Sequence, residues 1–138
     1  MCRFEIINIL GEYTPLIFYK LAIKGKCGYD DFTDRHKNSH EAQLDNISQI
    51  IDWMSGGDKP ISTRFKQLKR SKSDKYVDYE FRAGELRLYC FEDEGTGRII
   101  VIGGFKKDQK KQLIKMRRIK AQYFKAIDEN TTIIGRGI

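Results

Sequence analysis

The sequence predicts an α+β fold: a small, mostly antiparallel sheet with helices packed on one side, an N-terminal β-hairpin and a long C-terminal helix. Three observations predict it. Residues 76–102 break into three short runs with strand-like alternation, separated by glycine-bearing turns. Two stretches, residues 39–55 and Asp108 to about Ile127, carry apolar residues every three or four positions. Two further runs rich in β-branched and aromatic residues, Phe4 to Leu10 and Leu16 to Ile23, flank the turn sequence Gly11-Glu12-Tyr13-Thr14-Pro15.

The length, 138 residues, suits one core, so residues 1–138 are expected to form a single domain. Within it, 1–37 form the N-terminal hairpin and a loop, 38–127 the core, and 128–138 an apolar tail with no assigned element. Lys24 to Lys37 is polar, contains Gly25 and Gly28, and reads as a loop or the irregular start of a helix. The helix over 39–55 follows from Leu44, Ile47, Ile50, Ile51 and Met54 on one face. Asn38 and Glu41 offer a capping box, and Gly56-Gly57 stops the helix. Trp53 on this helix belongs to the core or to a partner groove. Phe65 and Leu68 anchor the basic segment 59–75 to the core, and 71–75 read as an exposed loop.

The hairpin that follows has a predicted register. With Ala83-Gly84 as a two-residue turn, Phe81 faces Leu86 and Glu80 faces Arg87. Val77, Tyr79 and Phe81 then share the core face with Leu86, Leu88 and Cys90. The other face carries Asp78, Glu80 and Arg82 beside Arg87, Tyr89 and Phe91. Arg98 to Ile102 is nearly all apolar and is expected to be a central strand. Asp108 caps the last helix, whose apolar positions are Leu113, Met116, Ile119, Tyr123 and Ile127.

Charge points to the partner. Residues 1–58 hold 6 Lys/Arg against 9 Asp/Glu, a balance of −3, whereas residues 59–138 hold 20 against 10, a balance of +10. A basic half of this kind is a surface for a polyanion, and RNA is the polyanion favoured. The three cysteines, Cys2, Cys27 and Cys90, are scattered and odd in number, and with only 2 histidines they make no zinc pattern. Cys90 reads as a small core residue, and His36 and His40 as loop or cap residues. The cysteine usage fits a reducing compartment, so a cytoplasmic protein is expected. The N-terminus has no basic lead before its apolar run and reads as a strand rather than a signal peptide. No run approaches the ~20 apolar residues of a membrane span.

The sequence YEF…GELRLYCF, then an apolar strand, then GGFKKDQKK opening a helix, resembles the RelE/HigB-like toxins of bacterial type II toxin–antitoxin systems, over residues 59–125 best. The resemblance implies a RelE-like sheet, with the N-terminal hairpin as an embellishment. It implies ribosome-dependent cleavage of messenger RNA without a metal or other cofactor, and inhibition by a cognate antitoxin, expected to be a helix-turn-helix protein. It places Arg87 near the scissile phosphate and Lys106 or Lys107 as the basic residue closing the last strand.

Such cleavage proceeds by attack of the 2′-hydroxyl on the adjacent phosphate. It needs a base, a cation for the extra phosphate charge, and an acid for the leaving oxygen. Arg87 can grip phosphate oxygens bidentately, or form a salt bridge with Glu80. Lys106 and Lys107, just before a helix N-terminus, are candidates for proton transfer or simply a solvated charge run. Glu80 is a candidate base, and Tyr89 a candidate base-stacking residue or a half-buried aromatic holding the sheet edge. Arg64, Lys66, Lys69, Arg82, Lys110 and Lys111 are expected to track RNA phosphates. Two other readings stay open: a non-enzymatic gyrase inhibitor of the ParE type, and a catalytically inactive basic nucleic-acid-binding module.

Overall fold

The computed structural model describes residues 3–137; Met1, Cys2 and Ile138 lie outside the described residues. The class is α+β. Strands β1 (Phe4–Asn8), β2 (Phe18–Ile23) and β3 (Lys26–Cys27) lead into helices α1 (Gly28–His36) and α2 (Glu41–Ser55). Strands β4 (Phe65–Gln67), β5 (Asp78–Ala83), β6 (Leu86–Asp93) and β7 (Gly97–Phe105) follow. A 3-10 turn at Lys106–Asp108 opens α3 (Gln109–Asp128). The strands form one seven-stranded sheet in the order β1-β2-β7-β6-β5-β4, with β3 paired to β2. Among the described residues no helix is long and apolar enough to cross a membrane.

All pairings are antiparallel except β2 with β7, which run parallel over Phe18↔Arg98 to Lys20↔Ile100. The β1–β2 hairpin is part of the main sheet, joined to it through β7, a central strand as its apolar sequence predicted. Beyond Ile100 the two strands part, and the N-terminus of α1 packs on the backbone of β7. A Cβ built on Gly28 would lie 1.9 Å from the Val101 carbonyl oxygen, and one built on Gly103 would meet the Phe32 ring at 2.6 Å. Two glycines therefore set the helix-to-strand distance, and the polar stretch 24–37, expected as a loop or the irregular start of a helix, is mostly β3 and α1.

The helices lie on both faces of the sheet rather than on one. Leu86, Leu88 and Cys90 of β6 pack with Ile47, Ile50, Ile51 and Met54 of α2 and Phe32 of α1. The alternate residues Tyr89 and Phe91 pack with Met116, Tyr123 and Phe124 of α3. Both sets of β6 side chains are apolar except Arg87 and the residues at the strand end, so each face needs a cover.

Two local expectations shift. Asn38 and Glu41 form no capping box; His40 occupies the N-cap of α2 without a side-chain cap bond. The His40 amide instead donates to the His36 carbonyl at 2.8 Å, so residues 37–39 are the turn between two helices. The basic segment contributes a strand, β4, on the sheet edge beside β5. The tail, unassigned from sequence, lies along β1. The Ile6 amide donates to the Ile134 carbonyl (2.8 Å), the Ile134 amide to the Phe4 carbonyl (3.1 Å), and Ile133 is buried. It covers an edge that would otherwise present open backbone groups.

Gly28→Ala is expected to overpack the α1–β7 contact and cost about 1–3 kcal/mol. Gly56→Ala, where an added Cβ meets its nearest atom at an ordinary 3.6 Å, should leave stability nearly unchanged. Urea midpoints of the two variants check the contrast.

Candidate functional site

The β5–β6 hairpin positions most of the residues that the sequence singles out. Its two-residue turn is Gly84-Glu85, not Ala83-Gly84. Gly84 takes φ +56, a value that glycine adopts without steric cost at the first turn position. Arg82 therefore faces Arg87 and Glu80 faces Tyr89, a displacement of two residues from the expected register. Because two is the side-chain period of a strand, both faces keep their predicted members.

That second face is enclosed rather than open. Asp78, Glu80 and Tyr89 are 0% exposed and Arg87 is 8% exposed. Two arginines directly opposite each other repel, and Glu80 sits between them. Arg82 Nε donates to Glu80 Oε2 at 2.6 Å, and Arg87 Nε lies 4.0 Å from Oε1. The side-chain amide of Gln109, from the first turn of α3, also donates to Oε1. A buried carboxylate needs such partners. Arg87 Nη1 donates to the carbonyls of Gly84 and Leu86, both at 2.8 Å, and so braces the hairpin turn. The salt-bridge reading of Arg87 with Glu80 thus describes this conformation, although the two are diagonal rather than opposite.

Tyr89 does not present a stacking face. Its ring lies under α3, its hydroxyl has no hydrogen-bond partner, and burial, with Glu80 nearby, pushes the phenol pKa well up. Glu80, fully engaged and buried, has no access to a ribose hydroxyl while α3 is in place. Cys90 is buried in the core, and burial raises its thiol pKa. His36 is buried against Phe32 and Phe105, and its desolvation lowers its pKa; Trp53 is 43% exposed on α2.

The predicted site cations that are open to solvent lie as a rim over the turn after β7, α3 and the β4 edge. Lys106 and Lys107 are exposed on the 3-10 turn, and the Lys106 amide donates to the Glu85 carbonyl at 2.7 Å, tying them to the hairpin end. Lys110 and Lys111 continue the rim along α3, and Arg64, Lys66 and Lys69 line the β4 edge, all exposed. Arg82, with a third of its side chain exposed, joins the rim to the enclosed cluster. Arg117 bridges α3 to the β4 segment through Asp78 (3.0 Å) and the Lys69 carbonyl (2.8 Å). Asp108 is the N-cap of α3 without a side-chain cap bond.

Sequence reasoning missed Gln109 and Lys120. Lys120 Nζ, buried, donates to Asp74 (2.6 Å), Asp78 (2.7 Å) and the Tyr76 carbonyl (2.8 Å). A signal for it exists: Met116, Lys120 and Tyr123 share helical spacing, so a lysine interrupts the buried stripe of α3 and requires an acid beneath it. Gln109 left no comparable signal. No family model matches the chain, nor does any curated protein or solved structure.

Burial works to raise the Asp74 carboxyl, but the Lys120 hydrogen bond, the Tyr76 amide and the Lys120 charge outweigh it and hold the pKa below the usual carboxylate range. A lowered folded-state pKa contributes stability above the unfolded value of about 3.9, which is lost as pH falls through the folded value. Denaturation midpoints should therefore drop on acidification below about pH 4, and Asp74→Asn should flatten that drop. Lys120→Met, which removes one of the two cations of buried Asp78 and leaves Arg117 as the other, is expected to cost about 1–3 kcal/mol by urea unfolding at pH 7.

Proposed function

We propose that the chain is a toxin of the RelE/HigB-like class that binds messenger RNA at the ribosome and cleaves it by metal-independent 2′-hydroxyl attack. In this reading it acts in the cytoplasm and is held inactive by a cognate antitoxin of the helix-turn-helix type. The observation that carries the reading is the convergence at one end of the sheet. Exposed Lys106 and Lys107 and part-exposed Arg82 stand beside the Glu80–Arg87–Tyr89 cluster, giving phosphate-binding cations next to an arginine and a carboxylate. The order of elements supports it too, since a strand and helices precede the central strands and the basic helix.

In this mechanism Lys106, Lys107, Arg64, Lys66, Lys69, Lys110 and Lys111 hold the RNA backbone, and Arg82 guides it to the hairpin. Arg87 stabilises the pentavalent phosphate, Glu80 takes the 2′-hydroxyl proton, and one of the two adjacent lysines returns a proton to the leaving 5′-oxygen. The step requires α3 to lift its first turn, because Gln109 closes over Glu80 in this conformation. The enclosure of Glu80 and Tyr89 favours one second reading: a basic nucleic-acid-binding module without catalysis, whose function resides in the exposed rim alone.

Induction of wild type, Arg87→Ala and the pair Lys106→Ala/Lys107→Ala in a bacterial host, with translation rate and mRNA 5′ ends mapped together, separates the readings. Cleavage predicts in-frame cuts that fall by about 10²–10³-fold in Arg87→Ala; Arg87→Lys, which keeps the charge, guards against loss of folding. Growth arrest without mRNA cuts moves a gyrase-type activity ahead, and no toxicity leaves the binding module. In direct RNA binding, each lysine removed should lower the log–log salt slope by about 1.

A further inference from the structure

Phe105, the last residue of β7, has no role in the site above. Its ring is half-buried and held from behind by two histidine rings. His36 meets it at 4.9 Å and 80°, and His40 at 5.6 Å and 66°, both edge-on. His36 is 2% exposed and leaves Nε2 without a partner behind that ring. A cavity of about 530 Å³ is lined by Glu85, Phe105, Lys106 and Lys107, and Lys107 Nζ stands over the ring, 5.6 Å from its centroid, in the place a stacked base would take as the lysine turns to its phosphate. An aromatic wall fixed in orientation, a carboxylate and two ammonium groups thus meet in one open cavity at the end of the sheet. Leu86 pairs with Phe105 there, one residue before Arg87.

We propose that this cavity seats one unstacked nucleobase of single-stranded RNA, with the base against Phe105, its amino group donating to Glu85, and its flanking phosphates on Lys106 and Lys107. The proposal rests on the RNA reading above and adds a specificity-determining residue to it. Each part of the cavity matches a part of a nucleotide. Every base has a π-face for the ring. Ammonium groups take phosphate as point charges. A carboxylate accepts from an exocyclic amine, as carboxylates do from cytosine N4. Glu85 also argues against an acidic peptide as occupant, because two like charges would then share the cavity. Uracil, which has no exocyclic amine, is the base the seat accepts least.

The test uses the full chain and fluorescein-labelled nine-nucleotide RNA strands, one bearing bases throughout and one abasic at its centre, read by fluorescence anisotropy. Wild type should favour the base-bearing strand by about 5- to 150-fold, the range stacking of one base supplies. Phe105→Leu should lose that preference at unchanged salt slope, with its urea midpoint measured alongside. Glu85→Gln should narrow the gap between central cytosine and central uracil. Equal binding of the two strands by wild type overturns the seat and leaves the RNA reading standing, a result that needs no variant. Binding of neither strand at low salt overturns both. Displacement of RNA by poly-glutamate whose own binding requires Phe105 would assign the cavity to a peptide and overturn the nucleobase seat.

Discussion

Strand β6 is buried on both faces, and the architecture depends on that constraint. Leu86, Leu88 and Cys90 point one way, Tyr89 and Phe91 the other, and all are fully buried. Water contact with either set would forfeit roughly 1.5–3 kcal/mol per large side chain. The chain satisfies both faces with helices from different parts of the sequence. Helix α2, with α1, covers one side and α3 covers the other. The tail then completes the far edge by pairing with β1.

Placing α3 over the second face carries an electrostatic cost that the sequence has met residue by residue. That face contains Asp78, Glu80 and Arg87, which would be expensive to bury alone. Lys120 and Arg117 from α3 neutralise Asp78, with Lys120 shared with Asp74, while Arg82 and Gln109 engage Glu80. The helix is therefore positioned by polar contacts to Asp78 and Glu80 of β5 and by apolar packing on Tyr89 and Phe91 of β6. The same contacts that fix α3 enclose the residues suited to phosphate chemistry, so the fold couples the position of its last helix to the accessibility of that cluster.

The charge asymmetry of the chain acquires a spatial meaning from this arrangement. The basic half supplies β4, α3 and the turn between β7 and α3; Arg64, Lys106 and Lys107 lie at the hairpin end of the sheet, and other exposed cations run along α3 and the β4–β5 connection. The acidic half supplies α1 and α2; in the first turn of α1, Asp30 pairs with Lys20 and Asp31 lines a cavity with Lys111 and Lys115 of α3.

The existence and type of most elements were legible in the sequence. The apolar spacing of Leu44 to Met54, the alternation of Tyr79 to Cys90 and the unbroken run Ile99 to Ile102 are local patterns, and local patterns follow from the geometry of a helix or strand. The membership of each sheet face was equally legible, since a two-residue error in the hairpin register preserves it. Of the candidate site, the exposure of Lys106 and Lys107 could be read locally, but the enclosure of Glu80, Arg87 and Tyr89 could not. Whether a mixed face of arginine, carboxylate and tyrosine meets water or a helix depends on where α3 docks, some thirty residues along the chain from Glu80 at Gln109. Only the tertiary structure decided that, together with the parallel joining of β2 to β7 and the pairing of the tail with β1. Each of these is a contact between distant segments, and its free energy depends on the packing of both partners rather than on the pattern of either one.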